Sequence, residues 1–146
     1  MSTSGAALIT GASSGIGATY AKRLAARGYD LILVARDKAR LDQLAALLSE
    51  QHAIQVKVLA ADLTDEQDVQ RVEAELVTNS NITLLLNNAG MSVEGEFLEA
   101  DINRINTMLT LNIVTPTRLA QAAGRAFKAR GNGIIINIAS VLALVH

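Results

Sequence analysis

The chain contains no cysteine, so disulfides, thiol nucleophiles and cysteine-ligated zinc are all excluded. Its two histidines, His52 and His146, stand far apart in sequence and read as surface or terminal residues rather than a metal pair. Aromatic residues make up only 3%, although half of all residues are hydrophobic, so the core has to be assembled from Leu, Ile, Val and Ala. That composition suits helices packed on a parallel sheet whose strands are buried on both faces. Neither sign of charge prevails: 13 Lys and Arg stand against 14 Asp and Glu, mixed along the chain, for a net charge of −1. Nothing in this balance favours nucleic acid or an anionic membrane surface as a partner. Long apolar runs are missing too. The segment Ala6 to Ile9, after Met1-Ser2-Thr3-Ser4-Gly5, is too short for a signal peptide or a membrane span, and the expectation is a cytoplasmic protein. With no linker, low-complexity tract or repeat, the 146 residues read as one domain.

What is present is an alternation of short apolar runs with longer helical stretches. Strands are expected at Ala6–Thr10, Leu31–Ala35, Ile54–Ala60, Ile82–Leu86 and Gly133–Ala139. A first helix is expected from Ile16 to Arg27, stopped by Gly28. Asp37 is placed to cap the second, which carries Leu41, Leu44, Leu47 and Leu48 on one side. Thr64 followed by Gln67 fits a capping box opening a third helix to about Val77, and a long helix is expected from Asp101 to Arg130. Strands alternating with helices imply βαβ units: an α/β, doubly wound, Rossmann-like parallel sheet with a ligand crevice at the carboxyl ends of its strands. The fifth strand, Ile134-Ile135-Ile136, reads as covered on both faces, yet too few residues follow to cover it, and the tail Val141 to Val145 is apolar. The sheet therefore reads as cut short after strand five, needing a continuation or an intermolecular partner.

The first strand runs into Thr10-Gly11-Ala12-Ser13-Ser14-Gly15-Ile16-Gly17, with a helix starting inside the loop. A turn that brings backbone N–H groups up to phosphate oxygens tolerates no Cβ, and the helix N-terminus adds partial positive charge. The spacing G-x-x-x-G-x-G differs from both G-x-G-x-x-G and the P-loop, since Ala18 follows Gly17. The plainer reading is a turn that packs a helix closely on a strand. The second strand ends Val34-Ala35-Arg36, without the acid that would accept hydrogen bonds from a free ribose 2′-hydroxyl. The Arg36 guanidinium suits a 2′-phosphate, which favours NADP(H) over NAD(H); otherwise Arg36 is a solvated residue before a helix. The missing acid also argues against an S-adenosylmethionine site.

Three further segments close expected strands: Asp62-Leu63 after the third, Asn87-Asn88-Ala89-Gly90 after the fourth and Asn137-Ile138-Ala139-Ser140 after the fifth. Together with the glycine loop they resemble the short-chain dehydrogenase/reductase family over essentially the whole chain. The resemblance implies that Ser13, Ser14 and Ile16 line the cofactor's pyrophosphate and ribose, with Gly11, Gly15 and Gly17 permitting the approach. It implies Asp62 at the adenine amino group, Leu63 beside the ring, and Asn88, Ala89 and Gly90 along the ribose, with Asn87 tying the fourth strand to its neighbours. Taken alone, Asp62 could simply precede a helix and the two asparagines satisfy a turn.

Asn112 and Ser140 match the first two members of the family's Asn–Ser–Tyr–Lys catalytic set, in which Tyr exchanges a proton with the substrate oxygen while hydride passes to or from the nicotinamide. Pro116, four residues after Asn112, has no N–H, so the Asn112 carbonyl loses its helical partner and a bend is expected. That freed carbonyl is the expected holder of the family's relay water. The Tyr-x-x-x-Lys pair belongs beyond His146: the only tyrosines are Tyr20 and Tyr29, followed four residues on by Leu24 and Leu33. Three functions follow. The first is the cofactor-binding part of an NADP(H)-dependent oxidoreductase acting on a small carbonyl or alcohol, inactive by itself. The second is a non-catalytic NADP(H)-binding or interaction module. The third is a nucleotide fold for another ligand, such as a phosphosugar. Met91, Ser92, Val93 and Glu94 are expected to border the substrate, and the resemblance suggests a homo-oligomer through the Asp101–Arg130 helix.

Overall fold

A computed structural model describes residues 5–140. Five parallel strands, β1 (Ala6–Thr10), β2 (Asp30–Ala35), β3 (Val56–Ala60), β4 (Ile82–Asn87) and β5 (Ile134–Asn137), form one sheet in the order β3-β2-β1-β4-β5. The helices are α1 (Gly15–Ala26), α2 (Lys38–Gln51), α3 (Glu66–Thr78), α4 (Ile102–Leu109) and α5 (Thr115–Arg130), with a 3-10 turn at Phe97–Glu99.

Strand residues alternate between two cores, because successive side chains point to opposite faces. Ala6, Leu8, Ile32, Val34 and Leu85 pack with Val69, Val72 and Leu76 of α3 and Leu119, Ala123 and Phe127 of α5. Ala7, Ile9, Leu31, Leu33, Leu84 and Leu86 pack with Ala21 and Leu24 of α1 and Leu41 and Leu48 of α2. The central strands have to be largely apolar, since both their faces are covered. The chain moves outward from β1 through β2 to β3, then returns to the other side of β1 to lay down β4 and β5. The strand order thus reverses between β1 and β4, and a crevice opens at their carboxyl ends. Parallel register brings those ends together: Thr10 pairs with Val34, Ala35 with Ala60, and Asn87 with Asn137.

Local details depart from the sequence reading in five places. The strands expected from Ile54 and from Gly133 to Ala139 are shorter, at Val56–Ala60 and Ile134–Asn137. On α2, Leu41 and Leu48 are buried and Leu44 half-buried, but Leu47 is exposed, because a helix turns 100° per residue and the four leucines span more than the covered face. The cap of α3 is Asp65, whose carboxylate accepts from the Asp68 N–H at 3.0 Å, rather than Thr64, whose hydroxyl is engaged by Asp62. The long helix is interrupted: Thr110–Val114 forms a π turn between α4 and α5, with the Thr115 N–H reaching the Thr110 carbonyl. Pro116 stands in the first turn of α5, so the expected bend takes the form of a π turn, a common insertion where an i→i+4 donor is missing. Finally, β5 is not covered on both faces. Ile135 and Ile136 each pack partly against one of the two cores, but Ile134 is 52% exposed. Asp37 does cap α2, accepting from the Arg40 N–H at 3.0 Å, and Gly28 follows α1 at φ +80°. The apolar tail 141–146 lies outside the described residues.

Candidate functional site

A cleft of about 960 Å³ lies at the carboxyl ends of β1 to β4. Its floor is the loop between β1 and α1, contributing Gly11, Ser13, Ser14, Gly15 and Ile16. One end is walled by Ala35, Arg36, Asp37 and Arg40 after β2 and by Ala61 to Thr64 after β3. The other is walled by Asn88 to Met91 after β4, with Thr107 and Leu111 from the α4 side.

The floor is shaped by where a Cβ fits. Gly15 adopts φ +53°, a left-handed conformation, and a Cβ there would meet nothing within 4 Å, so its exposed backbone borders open space. Gly17, by contrast, is buried behind the floor, where its Cα abuts the Gly11 carbonyl, and it does not line the cleft. The packing role weighed for the glycine motif therefore belongs to Gly17, while Gly15 faces the crevice. Ser14 is the N-cap residue of α1, but its side chain makes no capping bond and α1 has no acid in its first turn. The caps of α2, α3 and α4 are Asp37, Asp65 and Asp101, each accepting a backbone N–H. Of these four helices only α1 starts without a side-chain acceptor, and its first residues, Gly15 and Ile16, line the cleft.

Hydrogen bonds across the sheet fix the β4 loop over that floor. The buried Thr10 hydroxyl accepts from the N–H groups of Asn88 and Ala89, both at 3.0 Å, and lies 3.4 Å from the Leu86 carbonyl. The Asn88 amide donates in turn to the carbonyls of Thr10 and Gly11 at 3.1 and 3.2 Å. Asn87 is only 5% exposed and donates to Asn137 Oδ1 at 3.0 Å and the Pro116 carbonyl at 3.2 Å, tying β4 to β5 and α5 as the resemblance implied. Asn112 sits in the π turn behind the cleft wall. Its amide donates to the Met91 carbonyl at 2.7 Å and accepts from the Met91 N–H at 2.9 Å, so it clamps the backbone that follows the β4 loop.

At the far end, Asp62 accepts the Thr64 hydroxyl at 2.7 Å and N–H at 2.9 Å on one oxygen, Oδ1. These two bonds hold its carboxyl below the usual carboxylate range; partial burial opposes them and the Arg36 charge adds to them. Oδ2 has no donor among the described residues. Arg36 is exposed and makes no hydrogen bond or ion pair there, whereas Arg40 lies 3.4 Å from Asp37.

The structure thus gathers Gly11, Ser13, Ser14, Gly15, Ile16, Arg36, Asp62, Leu63, Asn88, Ala89 and Gly90 around one cleft. Asn112 reaches it only through Met91. Ser140, exposed at the end of the described residues just after β5, is not on its wall. Thr10, Arg40, Thr107 and Leu111 were not anticipated. For Thr10 the signal was a polar residue ending an otherwise apolar strand; the others carry no local signature. Among the described residues no group of three or more His, Asp or Glu side chains could hold a metal, and no helix is long and apolar enough to cross a membrane.

The family model for short chain dehydrogenases matches residues 5–146. The chain belongs to that family. It is 33% identical over 138 residues to the very-long-chain 3-oxoacyl-CoA reductase of Bos taurus, covering 92% of the chain but 44% of the relative. Among solved structures it is similar to the bulky-bulky ketone specific alcohol dehydrogenase from Comamonas testosteroni, at 47% identity and a TM-score of 0.95 over 97% of this chain and 57% of that one. It is similar also to a short-chain dehydrogenase from Sphingobium yanoikuyae in complex with NADPH, at 49% identity and a TM-score of 0.95 over 97% and 56%. The chain therefore spans under half the length of the curated relatives and little more than half of the solved ones.

Proposed function

We propose that this chain forms the NADP(H)-binding part of an oxidoreductase that interconverts a carbonyl and an alcohol. The observation that carries this reading is the α1 N-terminus, which lacks the aspartate cap of α2, α3 and α4 and lies beside Gly15 on the cleft. Uncapped N–H groups and the positive end of a helix suit a diphosphate. Ser13, Ser14, Gly15 and Ile16 hold it, and Arg36, exposed at the cleft wall, takes the 2′-phosphate through charge-assisted bonds. Asp62 Oδ2 accepts from the adenine amino group, Leu63 lies beside the ring, and Asn88 to Gly90 run along the nicotinamide ribose. When bound, the cofactor supplies or accepts the hydride.

Ser140 steadies the substrate oxygen and Asn112 fixes the wall beside it, in keeping with the family pattern. The NADPH-bound relative at 49% identity supports the choice of cofactor, and the ketone specificity of the Comamonas enzyme supports a carbonyl substrate. Tyr20 and Tyr29 both pack against the core between the sheet and helices α1 and α2, so neither serves as the acid that exchanges a proton with the substrate. In this reading that phenol, and the ammonium that lowers its pKa, come from polypeptide outside these 146 residues. The second reading, which the same cleft also serves, is a non-catalytic NADP(H)-binding module. A coding sequence that continues past His146 into Tyr-x-x-x-Lys decides for the enzyme, and a stop codon for the module.

The test of the cofactor is a titration with NADPH and NADH followed by nicotinamide fluorescence. The expected result is saturable NADPH binding, tighter than NADH. Tight NADH binding without NADPH binding would overturn the role of Arg36, and binding of neither would overturn the whole reading.

A further inference from the structure

Thr115 is only 2% exposed and its hydroxyl donates to the Leu63 carbonyl at 2.6 Å, across 52 residues of sequence. Leu63 lies in the turn between β3 and α3, beside Asp62 in the adenosine-side wall of the cleft. Thr115 opens α5 directly after the π turn that carries Leu111 and Asn112. Leu111 also lines the cleft, and Asn112 clamps the Met91 backbone after β4. One turn of helix thus fastens two different strand-end loops. Asn112 holds the chain after β4 and Thr115, three residues on, holds the chain after β3. No other donor reaches the Leu63 carbonyl among the described residues. A buried carbonyl deprived of its only donor moves or takes in water.

We propose that Thr115 is a positioning residue that sets the spacing between the two walls of the cleft, and so governs affinity for a ligand that spans both. The proposal rests on the dinucleotide reading above. Its consequence is specific: a spacing error penalises a ligand gripped at both ends, because its second contact is no longer aligned once the first is made. A ligand gripped at one end loses little. A side chain that served stability alone would impose no such difference.

The experiment measures NADPH, 2′,5′-ADP and reduced nicotinamide mononucleotide binding to the native chain and to Thr115→Val, Thr115→Ala and Thr115→Ser. Removing the hydroxyl is expected to weaken NADPH about tenfold, while each half-ligand changes by less than about twofold. The serine variant, which keeps the donor, should bind all three as the native chain does. Equal losses for whole and half ligands, or unchanged NADPH affinity, would overturn the proposal. Should the valine and alanine variants not fold, the native chain supplies the answer through amide hydrogen exchange. Binding of 2′,5′-ADP at the adenosine-side wall is expected to slow exchange at residues 110–115 across the cleft, and unchanged exchange there overturns the proposal. A native chain that binds no NADPH overturns the dinucleotide reading and this inference with it, whereas native binding matched by Thr115→Val overturns this inference alone.

Discussion

Gly17 of α1 rests directly on the main-chain carbonyl of Gly11, so the helix that follows the glycine loop lies against the strand end that precedes it. A Cβ on Gly17 would overlap that oxygen and come within 2.6 Å of the Asn88 amide nitrogen. Two backbone segments and the β4 loop therefore meet where there is room for no side chain at all.

Gly17→Ala is expected to lower stability by about 2–3 kcal/mol, the upper part of the overpacking range, because the nearest atoms in the way, those of the Gly11 carbonyl, are main chain and cannot rotate aside. Chemical unfolding measures this. An alanine variant as stable as the native chain would show that α1 can back away from β1 at little cost. Gly15→Ala meets no atom, and its smaller penalty should come from the left-handed backbone alone.

Thr10→Val keeps the shape of the buried side chain and removes its oxygen. The N–H groups of Asn88 and Ala89 both lose their acceptor. An orphaned buried donor costs about 1–3 kcal/mol, so the variant should unfold at clearly lower denaturant. Nicotinamide fluorescence should also report weaker NADPH binding, because the β4 loop is held over the floor by this oxygen.

Arg36→Ala removes the guanidinium proposed to meet the 2′-phosphate. A charge-assisted hydrogen bond contributes about 1.5–3 kcal/mol, so NADPH should bind about tenfold to a hundredfold more weakly while NADH binding changes little. Parallel titrations with the two cofactors check it. Equal effects on both would assign Arg36 to some part of the ligand other than the 2′-phosphate.

Asp62 titrates below its ordinary range when folded, chiefly through the Thr64 hydroxyl and N–H. A carboxyl whose folded pKa is depressed binds fewer protons folded than unfolded, so its stabilising contribution is complete above the unfolded value, about 3.9. It declines as pH falls through that value toward the folded one. Stability followed by denaturant titration at stepped pH should therefore fall more shallowly in acid for Asp62→Asn than for the native chain. Glu75 keeps part of the slope in both: burial pushes its carboxyl up, but hydrogen bonds from Lys57 and Asn79 outweigh this and hold it down.

The strands were legible because each is a short, mostly apolar run, and the central ones are covered on both faces. Asp37 was legible as a cap because it acts on an N–H three residues away. Sequence places the α3 cap one residue early because Thr64 and Asp65 are adjacent and either residue type starts helices. Only the folded turn shows that Thr64 is committed to Asp62. The glycine loop announced a close approach, but not that Gly15 faces the cleft and Gly17 faces Gly11. Thr115 gave no signal, since its partner is 52 residues away and a threonine at a helix start has an ordinary local use.

By itself, the order of residues determined the alternation of strands and helices, the parallel sheet and the loops that end its strands. Those properties follow from periodicity and from backbone preferences that act within a few positions. The tertiary structure alone decided which loop residues share a wall, which helix start is left without an acceptor facing the cleft, and which buried hydroxyl holds the two ends at their distance. Those relationships are made by atoms distant along the chain, and strand order and register decide where such atoms meet.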